Sequence, residues 1–484
     1  MKKNLKVNTI LNMIKTGSNI IFPLITIPYV LRILSADNIG KVDFGNSFVS
    51  YFSLIASLGI STYAIRECAK VRDDKKKLDR VASQIFSINI CTTLIAYVLM
   101  AISLVVFRKL DSYRSLIIIQ STVILFTTVG ADWINTAMED FVYITLRSVL
   151  FQILSLGLMF LFVKTPDDYV KYALITVLSS SGSSISNIIY RKKYCRMRFT
   201  WDIPWKTHMI PILFLFVMSL SQTVFNSADI TMLGLMKGNY AVGIYSTAAK
   251  IEKVISQVVS SIVMVLIPRL SYMFDSGEYD KINALLRKVL AVFLTIGLPI
   301  CAGAAVMAKE IILIVGGEKY VDATLVLQIL LISFLFSLVG GSFLGNIVLL
   351  PSGNEKQFMI ICCISTVVNV IANAFLIPMF GAYAAAGTTA FSSLLIMIML
   401  LISVDKRIHI EAVGRLFIAP CVGSLFMGIC CMWLKNCFGN LWIRTAVCVM
   451  SGVLVYGIMQ LIMKNEIVIE IYVKGLELIG RKRK

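Results

Sequence analysis

What limits this chain most is a repetition: windows of about 20 predominantly apolar residues return along almost its whole length. They fall near 9–33, 42–65, 83–107, 115–136, 141–163, 172–190, 209–236, 241–267, 289–308, 321–350, 358–378, 382–404, 416–434 and 441–463. At 1.5 Å per residue a helix of that length crosses about 30 Å of hydrocarbon. Lipid offers no partner to backbone N–H and C=O groups, so a chain of this kind folds as helices that satisfy their own. The expected fold is an all-α polytopic membrane protein with about 14 transmembrane helices. A mean hydropathy of +0.83 over 484 residues excludes a soluble protein with a single anchor. The first window is too long for a signal-peptide core and reads as a retained first helix.

The 46 Lys and Arg exceed the 27 Asp and Glu by 19, which in a soluble protein would suggest a nucleic-acid partner. Their positions say otherwise. If both termini lie on one side, that side holds 30 Lys/Arg, in the N-terminus, 66–80, 191–208, 269–288, 351–357, 405–415 and 464–484, against 11 in the alternate connections. The positive-inside rule then puts both termini in the cytoplasm, and no nucleic acid is needed. No external connection exceeds about a dozen residues, too short for an extracytoplasmic domain. The tail 464–484, with Glu466, Glu470, Lys474 and Glu477 at helical spacing, is expected to be a basic amphipathic helix on the membrane surface. The 11 cysteines lack CxxC spacing and the two histidines, His208 and His409, read as solvated, so neither disulfides, a metal nor a catalytic site is expected.

A weak repeat adds organisation. ILSADNIGKVDF (33–44) resembles LMKGNYAVGIYS (235–246), with Ile39-Gly40 matched by Val242-Gly243, and TAMEDF (136–141) resembles SGNEKQ (352–357). The repeat spans an even number of helices, so two halves of one orientation are expected, related by a pseudo-two-fold axis along the membrane normal. The boundaries read as an N-terminal six-helix lobe 1–200, a second 201–408, two further helices within 409–463, and the tail.

At these residues the chain resembles the oligosaccharide flippases of the multidrug/oligosaccharidyl-lipid/polysaccharide exporter superfamily, the Wzx-like proteins of O-antigen and capsule assembly. LITIPYVLRILSADNIG (24–40), ADWINTAMEDFVYIT (131–145), ADITMLGLMKGNYAVGIYSTAAKI (228–251), IPRLS (267–271), PSGNEKQ (351–357) and LIPMFGAYAAAGTTA (376–390) carry the likeness in order. Ser35-Ala36 stands where a glycine-proline pair is often found, and Ala137 replaces a glycine. The resemblance implies alternating access that turns an undecaprenyl-diphosphate-linked glycan to the outer leaflet of a bacterial cytoplasmic membrane, beside a polysaccharide polymerase and chain-length machinery. It implies no cofactor beyond a coupling H+ or Na+.

Ionisable groups inside hydrocarbon cost about 2.5–3.5 kcal/mol each, so those retained are the site candidates. Lys15, Arg32, Arg147, Lys250 and Lys253 are expected to line a cavity for an anionic diphosphate, with snorkelling the alternative for Lys15, Arg32 and Arg147. Asp43, Asp132, Asp229 and Glu252 are the gating or coupling candidates, with structural pairing as the alternative. Arg444 reads as an interface anchor. Small-residue runs such as Ser179 to Gly182, Gly340-Gly341 with Gly345, and Ala384 to Gly387 read as close helix packing. A nucleotide-driven pump is excluded because GxxxxGK[ST] is absent. A multidrug exporter and a lipid II flippase of the same superfamily remain alternatives; the first is weakened by the absence of any acid between residues 8 and 34.

Overall fold

The computed structural model describes residues 5–276, 278–405, 407–409 and 413–470. Among them there is no strand. The helices are α1 (Leu5–Ile33), α2 (Ala36–Ser57), α3 (Ile60–Lys70), α4 (Lys75–Val106), α5 (Arg114–Gly130), α6 (Trp133–Ala137), α7 (Phe141–Phe162), α8 (Tyr169–Tyr190), α9 (Trp205–Met236), α10 (Asn239–Asp275), α11 (Tyr279–Val306), α12 (Ala308–Val315), α13 (Ala323–Ser337), α14 (Glu355–Phe380), α15 (Ala382–Ser403), α16 (Val413–Leu434) and α17 (Leu441–Ile462). A π-helical segment, Leu338–Leu349, continues α13. Eleven helical segments among the described residues are long and apolar enough to cross a membrane. The windows at 9–33, 172–190 and 241–267 coincide with α1, α8 and α10, which lie outside those eleven. The serines between 179 and 184 dilute the apolar character of α8.

The bundle is inside-out relative to a soluble core: large apolar side chains such as Val105, Ile189 and Ile402 face outward, whereas Asn89, Gln120, Asn187, Asn369 and Gln460 are buried. Several of these amides tie down a local backbone defect or a helix-helix seam. α2 stops at Leu58 and Gly59, both at positive φ, and its freed Ala56 carbonyl accepts Asn89 Nδ2–H at 2.9 Å and Thr92 Oγ1–H at 2.6 Å from α4. In the second half, Thr388 of α15 donates to Asn373 of α14 at 2.5 Å, and Asn373 donates to Asn369 at 3.1 Å. Contacts divide the chain into two compact units, Met1–Ser246 and Thr247–Lys484.

In the first unit the connection after α8 lies extended along α4. Asp79 Oδ1, Ser83 Oγ and Ser87 Oγ accept the N–H groups of Arg196, Arg198 and Thr200 at 2.8, 3.1 and 2.8 Å. The register matches because four helical residues advance about 6 Å and two extended residues about 6.6 Å. His208 is not solvated, as the sequence suggested, but buried: Nδ1 lies 2.7 Å from Tyr63 Oη and Nε2 3.3 Å from Gln84 Oε1. Its imidazole finds these partners because α3 and α4 close over the start of α9.

The two connections that repeat in sequence also meet in space. A Cβ on Gly40 would lie 1.9 Å from the Asn239 carbonyl oxygen, and one on Gly243 2.0 Å from that of Ala36. The spacing of 203 residues between Gly40 and Gly243 also separates Ala36 from Asn239, so each glycine packs on the repeat mate of the other's partner. That is the reciprocal pattern of a two-fold contact. One turn on, Ser246 Oγ–H donates to Asp43 at 2.5 Å, and Asp43 and Ser246 are again 203 apart. Ser35, in place of the family glycine, caps α2: its Oγ accepts Asn38 N–H at 3.3 Å.

Of the small-residue runs, Gly340 packs on Met397 backbone, and Gly182 and Gly345 meet Phe151 and Phe358. Gly387 does not follow that expectation, because nothing stands within 4 Å of its added Cβ. The tail beyond residue 470 lies outside the described residues. Before that point, Glu466 and Glu470 pair with Arg287 and Lys288 of α11 at 2.7 and 2.6 Å.

Candidate functional site

α7 begins where Asp140 caps it, its Oδ1 accepting Tyr143 N–H at 3.4 Å. Two turns further, Arg147 is 7% exposed. Its Nη2 stands 3.0 Å from Asp132 Oδ1, and Nη1–H donates to the Ser183 carbonyl of α8 at 3.1 Å. Asp132, 37% exposed, also accepts Ser184 Oγ–H at 2.7 Å. Neither Arg147 Nε nor Asp132 Oδ1 has a well-aligned hydrogen bond among the described residues, so this contact is chiefly ionic. The Tyr143 ring lies 5.1 Å beneath the guanidinium. Half-buried Lys15, on α1, lies near enough to feel the charges of both Arg147 and Asp132. α1 and α7 are joined further along by Gln152 Nε2–H donating to Asn19 Oδ1 at 2.9 Å. Lys15, 117 positions before Asp132 and 132 before Arg147, thus adds a second cation to the Arg147–Asp132 pair.

An aromatic stack supports it. Tyr143 and Tyr190 lie parallel with centroids 3.5 Å apart, and Lys193 Nζ lies 5.2 Å above the Tyr190 ring. The Tyr190 hydroxyl donates to Asp140 Oδ2 at 2.8 Å, and Tyr194 donates to the same oxygen. Burial and this carboxylate push the Tyr194 phenol pKa up. Sequence reasoning missed Tyr143, Tyr190, Tyr194 and Asp140. Their only signal was a run of tyrosines near three helix ends, which spacing alone does not assemble.

A second polar group joins α2, α9 and the start of α10. Asp229, 3% exposed, accepts a hydrogen bond from Tyr245 Oη–H. Beside it Ser47 Oγ donates to the Ser227 carbonyl at 2.7 Å and lies 2.7 Å from Thr231 Oγ1, while Asp43 accepts from Ser246. Asp43 and Asp229 are therefore both buried acids held by hydroxyl donors.

The other candidates are spread out. Arg32 is exposed in the last turn of α1. On α10, Lys250 and Glu252 are half-buried and Lys253 is exposed. Arg444 is more than the interface anchor its sequence position suggested: its Nη1 lies 3.7 Å from Glu310, a 95% buried carboxylate of α12 that sequence reasoning did not single out.

A family model described as "Polysaccharide biosynthesis protein" matches residues 5–274, more than half of the chain. The chain belongs to this polysaccharide biosynthesis protein family. The MatE family model also matches, over residues 215–375. The "Putative O-antigen transporter" of Escherichia coli (strain K12) is 23% identical over 74% of this chain and 86% of its own length. The protein of the same description from Shigella dysenteriae is 25% identical over 82% of this chain and 99% of its own. The structure of the lipid II flippase MurJ in its inward closed conformation superposes with a TM-score of 0.74 at 15% identity, covering 96% of this chain and 99% of that one. At that identity the likeness establishes the fold alone; the two family models and the O-antigen relatives make the chain a Wzx-like member of the exporter superfamily.

Proposed function

We propose that this chain is a flippase, not an enzyme, that carries an undecaprenyl-diphosphate-linked oligosaccharide from the cytoplasmic to the outer leaflet by alternating access. The family and its O-antigen relatives support the substrate class. The observation that carries the reading is the Lys15, Arg147 and Asp132 cluster, where a buried guanidinium is held in place by Ser183 and Tyr143 while its counter-ion remains partly exposed. A diphosphate offers more negative charge and more acceptor oxygens than one carboxylate. It would displace Asp132 from Arg147, bind bidentately there, and take Lys15 as its second cation. Asp132 keeps Ser184 as a partner, so it is not stranded when displaced. On release, re-formation of the Arg147–Asp132 pair resets the site.

In this reading both termini are cytoplasmic, the membrane is the bacterial inner membrane, and polymerase and chain-length proteins receive the product. Arg32, Lys250 and Lys253 are proposed as further cavity cations. Asp43, Asp229 and Glu252 are proposed as coupling or gating acids, with H+ or Na+ as the coupling ion and no other cofactor. Deletion in a strain without a paralogue should leave lipid-linked repeat units on the inner leaflet, protected from a glycosidase added outside; normal surface polysaccharide in that strain would refute the proposal. The MatE match favours a second reading, cation-coupled multidrug export. It requires that deletion raise sensitivity to cationic drugs and leave the glycan untouched.

A further inference from the structure

The second unit contains a cavity of about 310 Å³ where α11, α16 and the segment following α17 come together. Three cations line it: Arg287, Arg415 and Lys464. All three sit at one level. Arg287 precedes the apolar window of α11, Arg415 precedes that of α16, and Lys464 follows that of α17. This is the depth of lipid headgroups. It is also the face whose connections carry most of the basic residues.

Arg287 spends one amino group on Glu466, at 2.7 Å, and its buried Nε has no partner. Arg415 and Lys464 make no side-chain hydrogen bond or ion pair among the described residues. Two exposed cations without an acidic partner among the described residues therefore line the half-open cavity beside a single acid that is already paired. Lys464 adopts φ +54°, a conformation non-glycine residues rarely take, at the turn that brings Asn465 into the lining. Asn465 Nδ2–H in turn donates to Thr295 Oγ1 at 3.2 Å, fixing that wall.

The rest of the lining is largely apolar: Ala291, Leu416, Ala419 and Met463, with Ile418, 54% exposed, among them. A free phosphate would use the cations and leave this lining unexplained; a phospholipid uses both. We propose that the cavity binds the phosphate headgroup of an anionic phospholipid, with an acyl chain leaving past Ile418. Basic pockets between transmembrane helices at the headgroup level are suited to such lipids. The site draws only on residues of the second unit and does not depend on which substrate the protein moves.

The test is native mass spectrometry of the full chain in mild detergent, titrated with phosphatidylglycerol, phosphatidylcholine or undecaprenyl diphosphate. The double variant Arg415→Gln with Lys464→Gln leaves the Arg287–Glu466 pair in place. It should bind phosphatidylglycerol at least tenfold more weakly and phosphatidylcholine unchanged. The conservative exchange Arg415→Lys with Lys464→Arg should restore binding, which separates loss of charge from loss of fold. Unchanged phosphatidylglycerol binding in the double variant overturns the proposal. So does an equal loss of phosphatidylcholine, and so does a loss confined to undecaprenyl diphosphate, which would assign the cavity to the transported lipid.

Discussion

Replacing Gly40 by alanine puts a methyl carbon 1.9 Å from the Asn239 carbonyl oxygen, and replacing Gly243 puts one 2.0 Å from that of Ala36. Carbon and carbonyl oxygen do not approach closer than about 3.3 Å, so α2 and the start of α10 must separate by about 1.3 Å. Both obstacles are backbone, so no rotamer change relieves the clash. Overpacking of this kind costs about 1–3 kcal/mol. The same movement would stretch the Ser246–Asp43 bond, 2.5 Å long and one turn away, beyond hydrogen-bonding range. Losing a bond to a charged group adds about 1.5–3 kcal/mol. Either single substitution should therefore destabilise by about 3 kcal/mol or more. The two contacts are reciprocal, however, so one separation serves both, and the second substitution should add little. In a thermal melt of the purified full-length protein, each single variant should melt well below the parent, and the double variant close to the worse single one. Gly387→Ala, with nothing within 4 Å, is the control and should not lower the midpoint. Neutral single variants, or a double variant equal to the sum of two large losses, would refute the two-fold contact.

Arg147→Ala should abolish glycan translocation, and Arg147→Lys should retain only a small fraction, because a point charge loses both the fork toward Asp132 and the Ser183 anchor. Asp132→Asn removes the competing charge: binding of undecaprenyl diphosphate should tighten about tenfold, or ~1.4 kcal/mol, while turnover falls. Direct binding and a flipping assay on the same preparation separate the two effects. Removing Arg444 leaves Glu310 buried without its cation and should destabilise by about 3 kcal/mol, whereas Arg444→Met combined with Glu310→Gln should melt near the parent. Exposed Cys437, in the connection before α17, should react with an impermeant maleimide added to intact cells if both termini are cytoplasmic. Cys195, whose thiol pKa burial and Asp79 push up to about 12, should stay unlabelled on either side.

The helices were legible because apolar length is a local property: every apolar window falls on helix, though 42–65 and 115–136 each run across a break, and the Gly40 and Gly243 repeat marks a real contact. The interruptions were less so. The break at Leu58-Gly59, the π-helical continuation of α13 and the short α6 depend on what α4, α9 and α15 place opposite them. Among the candidate residues, the cost of burying charge drew notice to Arg147, Asp43 and Asp229, which are buried, and to Asp132 and Lys15, which are partly so. It gave no account of their partners, and it passed over Glu310, which lies just outside the apolar windows, near the start of the short α12.

By itself, then, the sequence determined the solvent, the class of fold and the family, because hydropathy and the order of short motifs are written along the chain. Tertiary structure decided which charges meet. Arg147 finds Asp132 only because α6 and α7 fold back beside α8, and Lys15 joins them only because α1 lies against α7. Coulomb energy falls with distance through space, and separation along the chain carries almost no information about it.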